Sequence, residues 1–142
     1  PFGVALFDID HFKSLNDAAG HLAGDKALRQ VASVIRKELR EADMAYRYGG
    51  EELLVVLPAP VRRVAAAAER IRKAVEHAAI PHPGRPGPET VVTLSVGVAA
   101  AEGDAESYLL AADAALYKAK SEGRNRMAVA GRWFAIPELS SP

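Results

Sequence analysis

Two acidic clusters stand where apolar runs meet turns. Asp8-Ile9-Asp10 closes the run Gly3-Val-Ala-Leu-Phe7, and Glu51-Glu52 follows Gly49-Gly50 and precedes Leu53–Leu57. Hard divalent cations such as Mg²⁺ take oxygen ligands, commonly one or two carboxylates completed by substrate phosphates. Two such ions, roughly 4 Å apart, activate an attacking hydroxyl and stabilise a leaving phosphate. Carboxylates at adjacent strand ends suit that task, and glycines beside them let backbone approach a phosphate closely. Acids at strand ends also occur as solvated turn residues, so residue type alone leaves both readings open. A second cluster beside a Gly-Gly turn strengthens the chemical one.

The elements that must position these residues follow from apolar periodicity. Gly3–Phe7 reads as a strand covered on both faces, with charge at its end. Ala27 to Glu41 carries Leu28, Val31, Ala32, Ile35 and Leu39 at helical spacing, with Asp25 placed to cap the N-terminus. Met44–Tyr48 and Leu53–Leu57 read as strands joined by a tight hairpin at Gly49-Gly50. Pro58 and Pro60 end the second. Val61 to Ala79 is helical, with Val64, Ala68, Ile71, Val75 and Ala78 on one face. Pro81-His-Pro-Gly-Arg-Pro-Gly-Pro88 is a loop by composition. Val91–Ala99 reads as a buried strand, and Ser107–Ser121 as a helix with Leu109, Ala112 and Leu116 inward and Gly123 at its C-cap. Arg126–Ala130 is a last strand, and Trp133–Pro142 a loosely held tail. The order β-α-β-β-α-β-α-β predicts an α/β sandwich with a central mixed β-sheet flanked by helices.

Composition bounds the rest. The 142 residues suit one domain, expected over residues 1–131 with a C-terminal tail at 132–142. With no cysteine, the chain has neither a disulfide framework nor a thiolate metal site. No apolar run approaches the ~20 residues that span a bilayer, and Pro1–Leu6 lacks the basic segment of a signal peptide. Lys plus Arg balance Asp plus Glu at 18 each, so no global field gathers a nucleic-acid polymer. A small nucleotide is compatible with this balance.

The motifs resemble those of the GGDEF domain of bacterial diguanylate cyclases. Asp8-Ile-Asp-His-Phe-Lys-Ser-Leu-Asn-Asp17, Gly20-His21, Gly24-Asp25 and Arg47-Tyr-Gly-Gly-Glu-Glu-Leu53 carry the resemblance. Ser95-Val-Gly-Val-Ala99, Ala112-Asp-Ala-Ala-Leu-Tyr-Lys-Ala-Lys120 and Gly123-Arg-Asn125 continue it, so that it spans Val4 to about Val129 in the family's order. The resemblance implies a nucleotide-cyclase, palm-like fold with the glycine hairpin at the active site. It implies that two GTP molecules, one on each of two facing domains, condense into cyclic di-GMP with release of two pyrophosphates. Carried over by position, Asp8, Glu51 and the Ile9 carbonyl are ligands of Mg²⁺ or Mn²⁺, two ions per active site. Glu51 or Glu52 assists deprotonation of the 3′-hydroxyl, and Lys13, Lys120 and Arg124 surround the triphosphate. Asn16 and Asp25 match guanine-reading positions, where a carboxylate accepts from guanine N–H groups and an amide pairs with the purine edge. His21 is placed near substrate.

Arg40-Glu-Ala-Asp43 matches the family's Arg-x-x-Asp inhibitory product site in sequence and offset, and Arg70 or Arg72 is a candidate second contact. Leu53 stands where the family commonly has Phe, a change expected to alter packing rather than chemistry. The upstream helix and Asp-x-Leu-Thr segment usual in the family are not among these 142 residues, so the domain is expected to lack its usual N-terminal segment here. The implied protein is a cytoplasmic, homodimeric, product-inhibited diguanylate cyclase, compatible with tethering through upstream segments and with no membrane contact by this domain. The alternatives are a GGDEF-like module that binds GTP or cyclic di-GMP without turnover, and a palm-like polymerase fragment. The neutral charge and the guanine-reading pair disfavour the latter.

Overall fold

Gly3–Ile9 forms β1, every residue of it buried, at the centre of a five-stranded sheet. The computed structural model describes residues 1–131. The remaining strands are β2 (Met44–Arg47), β3 (Glu52–Leu57), β4 (Leu94–Ala100) and β5 (Met127–Val129), arranged β2-β3-β1-β4-β5. β1 runs antiparallel to β3 and β4, β2 antiparallel to β3, and β4 parallel to β5, so the sheet is mixed as expected.

Alternation along the strands divides the core between two faces. Ala5, Phe7, Ile9, Val55, Val96 and Val98 point to one face. Val31 and Ile35 of α2 (His21–Glu38) and Val64, Ala68, Ile71 and Val75 of α3 (Val61–His77) cover it. Val4, Leu6, Leu54 and Ala99 point to the other, against Ala112 and Leu116 of α4 (Ala105–Ser121). α4 lies directly on the β4 backbone: a Cβ on Gly97 would stand 2.1 Å from the Ala112 carbonyl oxygen. Asp104 caps α4 by accepting from the Ser107 amide at 2.8 Å, and Gly123 follows the C-cap Glu122 with φ 129°.

The structure corrects the sequence reading at several boundaries. A short helix, α1 (Phe12–Ala19), precedes α2 where none was expected. α2 begins at His21 rather than Ala27 and ends at Glu38 rather than Glu41, so Asp25 lies inside it and is not its cap. Gly20, with φ 90°, separates the two helices. Val91 makes only an isolated bridge with Pro81, and β4 proper starts at Leu94. The tail expected at Trp133–Pro142 lies outside the described residues.

Candidate active site

Strand register brings the two acidic clusters together. Asp8 pairs with Glu52 across β1 and β3, and the Ile9 amide donates to the Glu51 carbonyl at 3.4 Å. The intervening hairpin is pinned from beneath. Arg47 donates from Nη2 to the Gly50 carbonyl at 2.8 Å and from Nε to the Gly49 carbonyl at 3.4 Å. The Tyr48 amide closes the turn onto the Glu52 carbonyl at 2.8 Å. The glycine tip is thereby fixed with Glu51 beside the end of β1.

Asp8, Ile9, Lys13, Glu51, Lys120 and Arg124 line one cleft of about 240 Å³, with Asp10, His11, Phe12 and Ser14 completing its wall. Asp8 is 3% exposed. Burial pushes its carboxyl up to about 6, although Lys120 Nζ donates to Asp8 Oδ2 and pulls it down; the charges of Glu51 and Glu52 push upward too. Burial also raises the Glu52 carboxyl against the pull of Lys120, with Asp113 and Glu51 adding to the rise. Lys120 therefore offsets only part of the cost of burying the Asp8 charge.

That donor set fits a hard cation. Among the described residues no three His, Cys, Asp or Glu side chains converge into a closed metal cage. An open cleft lined by Asp8, Ile9 and Glu51 instead suits the habit of Mg²⁺, which keeps waters and takes phosphate oxygens from its substrate.

The family model "Diguanylate cyclase, GGDEF domain" matches residues 1–126. The chain belongs to the GGDEF family. It is 45% identical over 130 residues to diguanylate cyclase DgcP of Pseudomonas aeruginosa, a match covering 89% of this chain and 19% of DgcP. It is also 45% identical over 128 residues to diguanylate cyclase A of Treponema denticola, covering 87% of this chain and 34% of that one. The chain thus spans about a fifth to a third of these curated relatives. The crystal structure of the coiled coil and GGDEF domain of DgcB from Caulobacter crescentus, in complex with c-di-GMP, superimposes with a TM-score of 0.80. That match has 37% identity and covers 91% of this chain and 69% of the other.

Within this GGDEF domain the other expected site residues divide by location. Lys13 is exposed at the cleft rim and pairs with Asp17 at 3.1 Å. Asn16, on α1, buries its Oδ1 against the backbone of α2 with no partner among the described residues: a Cβ on Gly24 would lie 1.7 Å from that oxygen. His21 is exposed at the start of α2. Asp25 is exposed on α2 and opens onto a different groove, of about 450 Å³, between α2 and β2. Arg40 and Asp43 form a compact turn at the far end of β2, where the Arg40 amide donates to Asp43 Oδ2 at 2.8 Å. Arg70 reaches toward this turn, donating to the side chain and carbonyl of Glu38 at 2.9 and 3.1 Å. Arg72 is held instead by Glu69 and Asn125, which removes it as the second contact.

Sequence reasoning missed the support behind the cleft. Asp10 is 2% exposed and accepts from Thr93 Oγ1 at 2.7 Å, Ser95 Oγ at 2.6 Å and the Asn125 amide at 3.0 Å. It ties β1 to β4 and to the turn that carries Arg124. The alternation of Thr93 and Ser95 among apolar residues was the available signal, since buried hydroxyls at strand positions require a partner.

Proposed function

We propose that this GGDEF domain is one half of a diguanylate cyclase, in which two facing copies each hold one GTP. Each 3′-hydroxyl attacks the α-phosphate of the opposite GTP. A P–O bond forms, the α–β phosphoanhydride breaks, and pyrophosphate leaves; two such steps give cyclic di-GMP. The observation that carries this reading is the convergence of Asp8, the Ile9 backbone and Glu51 with Lys120 and Arg124 on one cleft.

Bound there, Mg²⁺ or Mn²⁺, two ions per site, supplies Lewis-acid polarisation of the phosphates and lowers the pKa of the attacking hydroxyl. Asp8, Glu51 and the Ile9 carbonyl hold the ions. The hydroxyl proton passes to Glu51 or Glu52; burial raises the proton affinity of Glu52. Lys13, Lys120 and Arg124 offset the charge that develops on the phosphates. Asn16 and Asp25 read the guanine, with His21 nearby. Arg40, Asp43 and Arg70 form a separate site for the product, which inhibits. No described helix is long and apolar enough to cross a membrane. We place this domain in the cytoplasm, without membrane contact of its own.

Incubation of the full-length protein with GTP and Mg²⁺, followed by chromatography, tests the proposal. Cyclic di-GMP from GTP, with no cyclic product from ATP, is expected, because adenine leaves the guanine-reading acceptors unpaired. Equal turnover of ATP would remove the guanine assignment. No turnover of GTP would leave a binding module.

A further inference from the structure

The loop between α3 and β4 is packed against the back of the cleft. His82 is 3% exposed, and its Nε2 lies 3.0 Å from the Asp10 carbonyl oxygen and 3.1 Å from that of His11. Two carbonyls cannot donate, so Nε2 carries the proton and is shared between them. His11 is the residue between β1 and α1, and its backbone is left-handed, φ 55° and ψ 37°, with no side-chain cap to hold it. Such a conformation in a non-glycine residue persists only when its surroundings impose it.

The same loop is braced on both sides. Gly84, at φ 85°, abuts α1: a Cβ there would stand 2.5 Å from Ala18 Cβ and 2.8 Å from the Ser14 carbonyl oxygen. Arg85 ties the loop to the start of β4, donating to the Val91 carbonyl at 3.0 Å and Thr93 Oγ1 at 2.8 Å, and pairs with Glu89 at 2.7 Å. Thr93 in turn donates to Asp10. A side-chain donor on a braced loop thus grips the two consecutive carbonyls at which the chain turns from the strand of Asp8 and Ile9 into the helix of Asn16.

We propose that His82 is a positioning residue that fixes the phosphate end of the site, on β1, relative to the base end, on α1. The inference rests on the functional reading above. A nucleotide that spans both ends gains from their fixed separation, whereas a ligand occupying only one end does not. His82 need not touch the substrate.

The test uses the full-length protein with His82→Leu, which keeps bulk without a donor, and His82→Gln, which keeps an N–H donor on a side chain of similar reach. Melting temperature, Mg²⁺-GTP affinity and Mg²⁺-pyrophosphate affinity are measured by scanning and titration calorimetry. The Leu variant is expected to bind Mg²⁺-GTP on the order of tenfold more weakly, with pyrophosphate binding unchanged. The Gln variant is expected to recover most of the affinity. Wild-type GTP binding in the Leu variant, or equal weakening of GTP and pyrophosphate, would overturn the proposal. If the Leu variant does not fold, a folded Gln variant decides: near-wild-type binding supports the role, and tenfold weaker binding refutes it. A wild type that binds Mg²⁺-GTP but forms no cyclic dinucleotide would defeat the cyclase reading alone, since these titrations need no turnover.

Discussion

Asp8 is held in an environment that stabilises the protein least when the residue is most useful. Its carboxyl, raised from 3.8 to about 6, carries a burial penalty on the ionised form of about 3 kcal/mol at most. The sign follows from linkage: a carboxyl whose folded value is raised binds its proton more tightly in the native state, so its penalty is full above pH 6. The penalty shrinks as pH falls from about 6 toward 3.8. Asp8→Asn keeps an oxygen for Lys120 and removes the charge. In chelator-treated protein at pH 8 it is expected to raise stability by roughly 1–3 kcal/mol, with the gain fading by pH 4, as thermal melts at both pH values will show. A variant no more stable than wild type at pH 8 would mean that Lys120 fully compensates the charge. Glu51→Gln is expected to abolish cyclic di-GMP formation while leaving the melting curve close to wild type, because it keeps size but loses the charge that holds a cation. Near-normal turnover with unchanged Mg²⁺ dependence would remove Glu51 from the ligand set.

At the scale of elements, two close approaches at glycines have opposite consequences. A Cβ on Gly97 meets backbone atoms of α4, 2.1 Å from the Ala112 oxygen and 2.4 Å from the Leu116 nitrogen, which no side-chain rotation relieves. Gly97→Ala must lift α4, which carries Lys120, and is expected to lower stability by about 1–3 kcal/mol and activity with it. Unfolding in urea and a GTP assay measure both; an unchanged midpoint would show that α4 accommodates the methyl group. A Cβ on Gly24 meets the end of the Asn16 side chain, which can swing away. Gly24→Ala also gains helix propensity, up to ~1 kcal/mol, so little net loss of stability is expected, while KM for GTP rises as Asn16 leaves its place. An unchanged KM would exclude Asn16 from base recognition. These contacts also explain what was legible in the sequence. β1, β3, α3 and α4 bury long periodic faces and were read nearly to their ends. α1 has eight residues, of which only Leu15 is fully buried, and no side-chain cap announces it. Asp25 was read as a cap, so the start of α2 was set too late, although Gly24 lies inside the helix. The glycine's reason, room for Asn16 from another helix, is tertiary. The paired acids, each beside a strand or turn signal, were legible as types, but only register shows that they meet. Asp10 and His82 act through partners distant in sequence, which no local pattern reveals.

The whole molecule places its two proposed ligand sites at opposite ends of β2. The strand's four residues, at about 3.3 Å each, set the Arg40–Asp43 turn about 13 Å from the hairpin that carries Glu51. Cyclic di-GMP held at Arg40 on one copy therefore does not displace GTP from the same copy's cleft. On the proposed reading, in which each cleft presents one GTP and condensation needs two, inhibition acts on how two copies face each other. For that, the product must bind the non-productive arrangement more tightly than the productive one. Arg40 is exposed and its amide, not its guanidinium, holds Asp43, so its side chain remains available to a phosphate or guanine edge. Arg70 is anchored on Glu38, two residues before Arg40 in the chain. Arg40→Ala removes a charge-assisted contact worth about 1.5–3 kcal/mol, or roughly ten- to a hundredfold in product affinity, without touching the cleft. The expected outcome is a matching rise in the cyclic di-GMP concentration that halves the initial rate, with the uninhibited rate preserved. Inhibition curves that superimpose on wild type would make Arg40 an ordinary surface arginine. A loss of uninhibited rate would tie the turn to catalysis and contradict the separation of the two sites along β2.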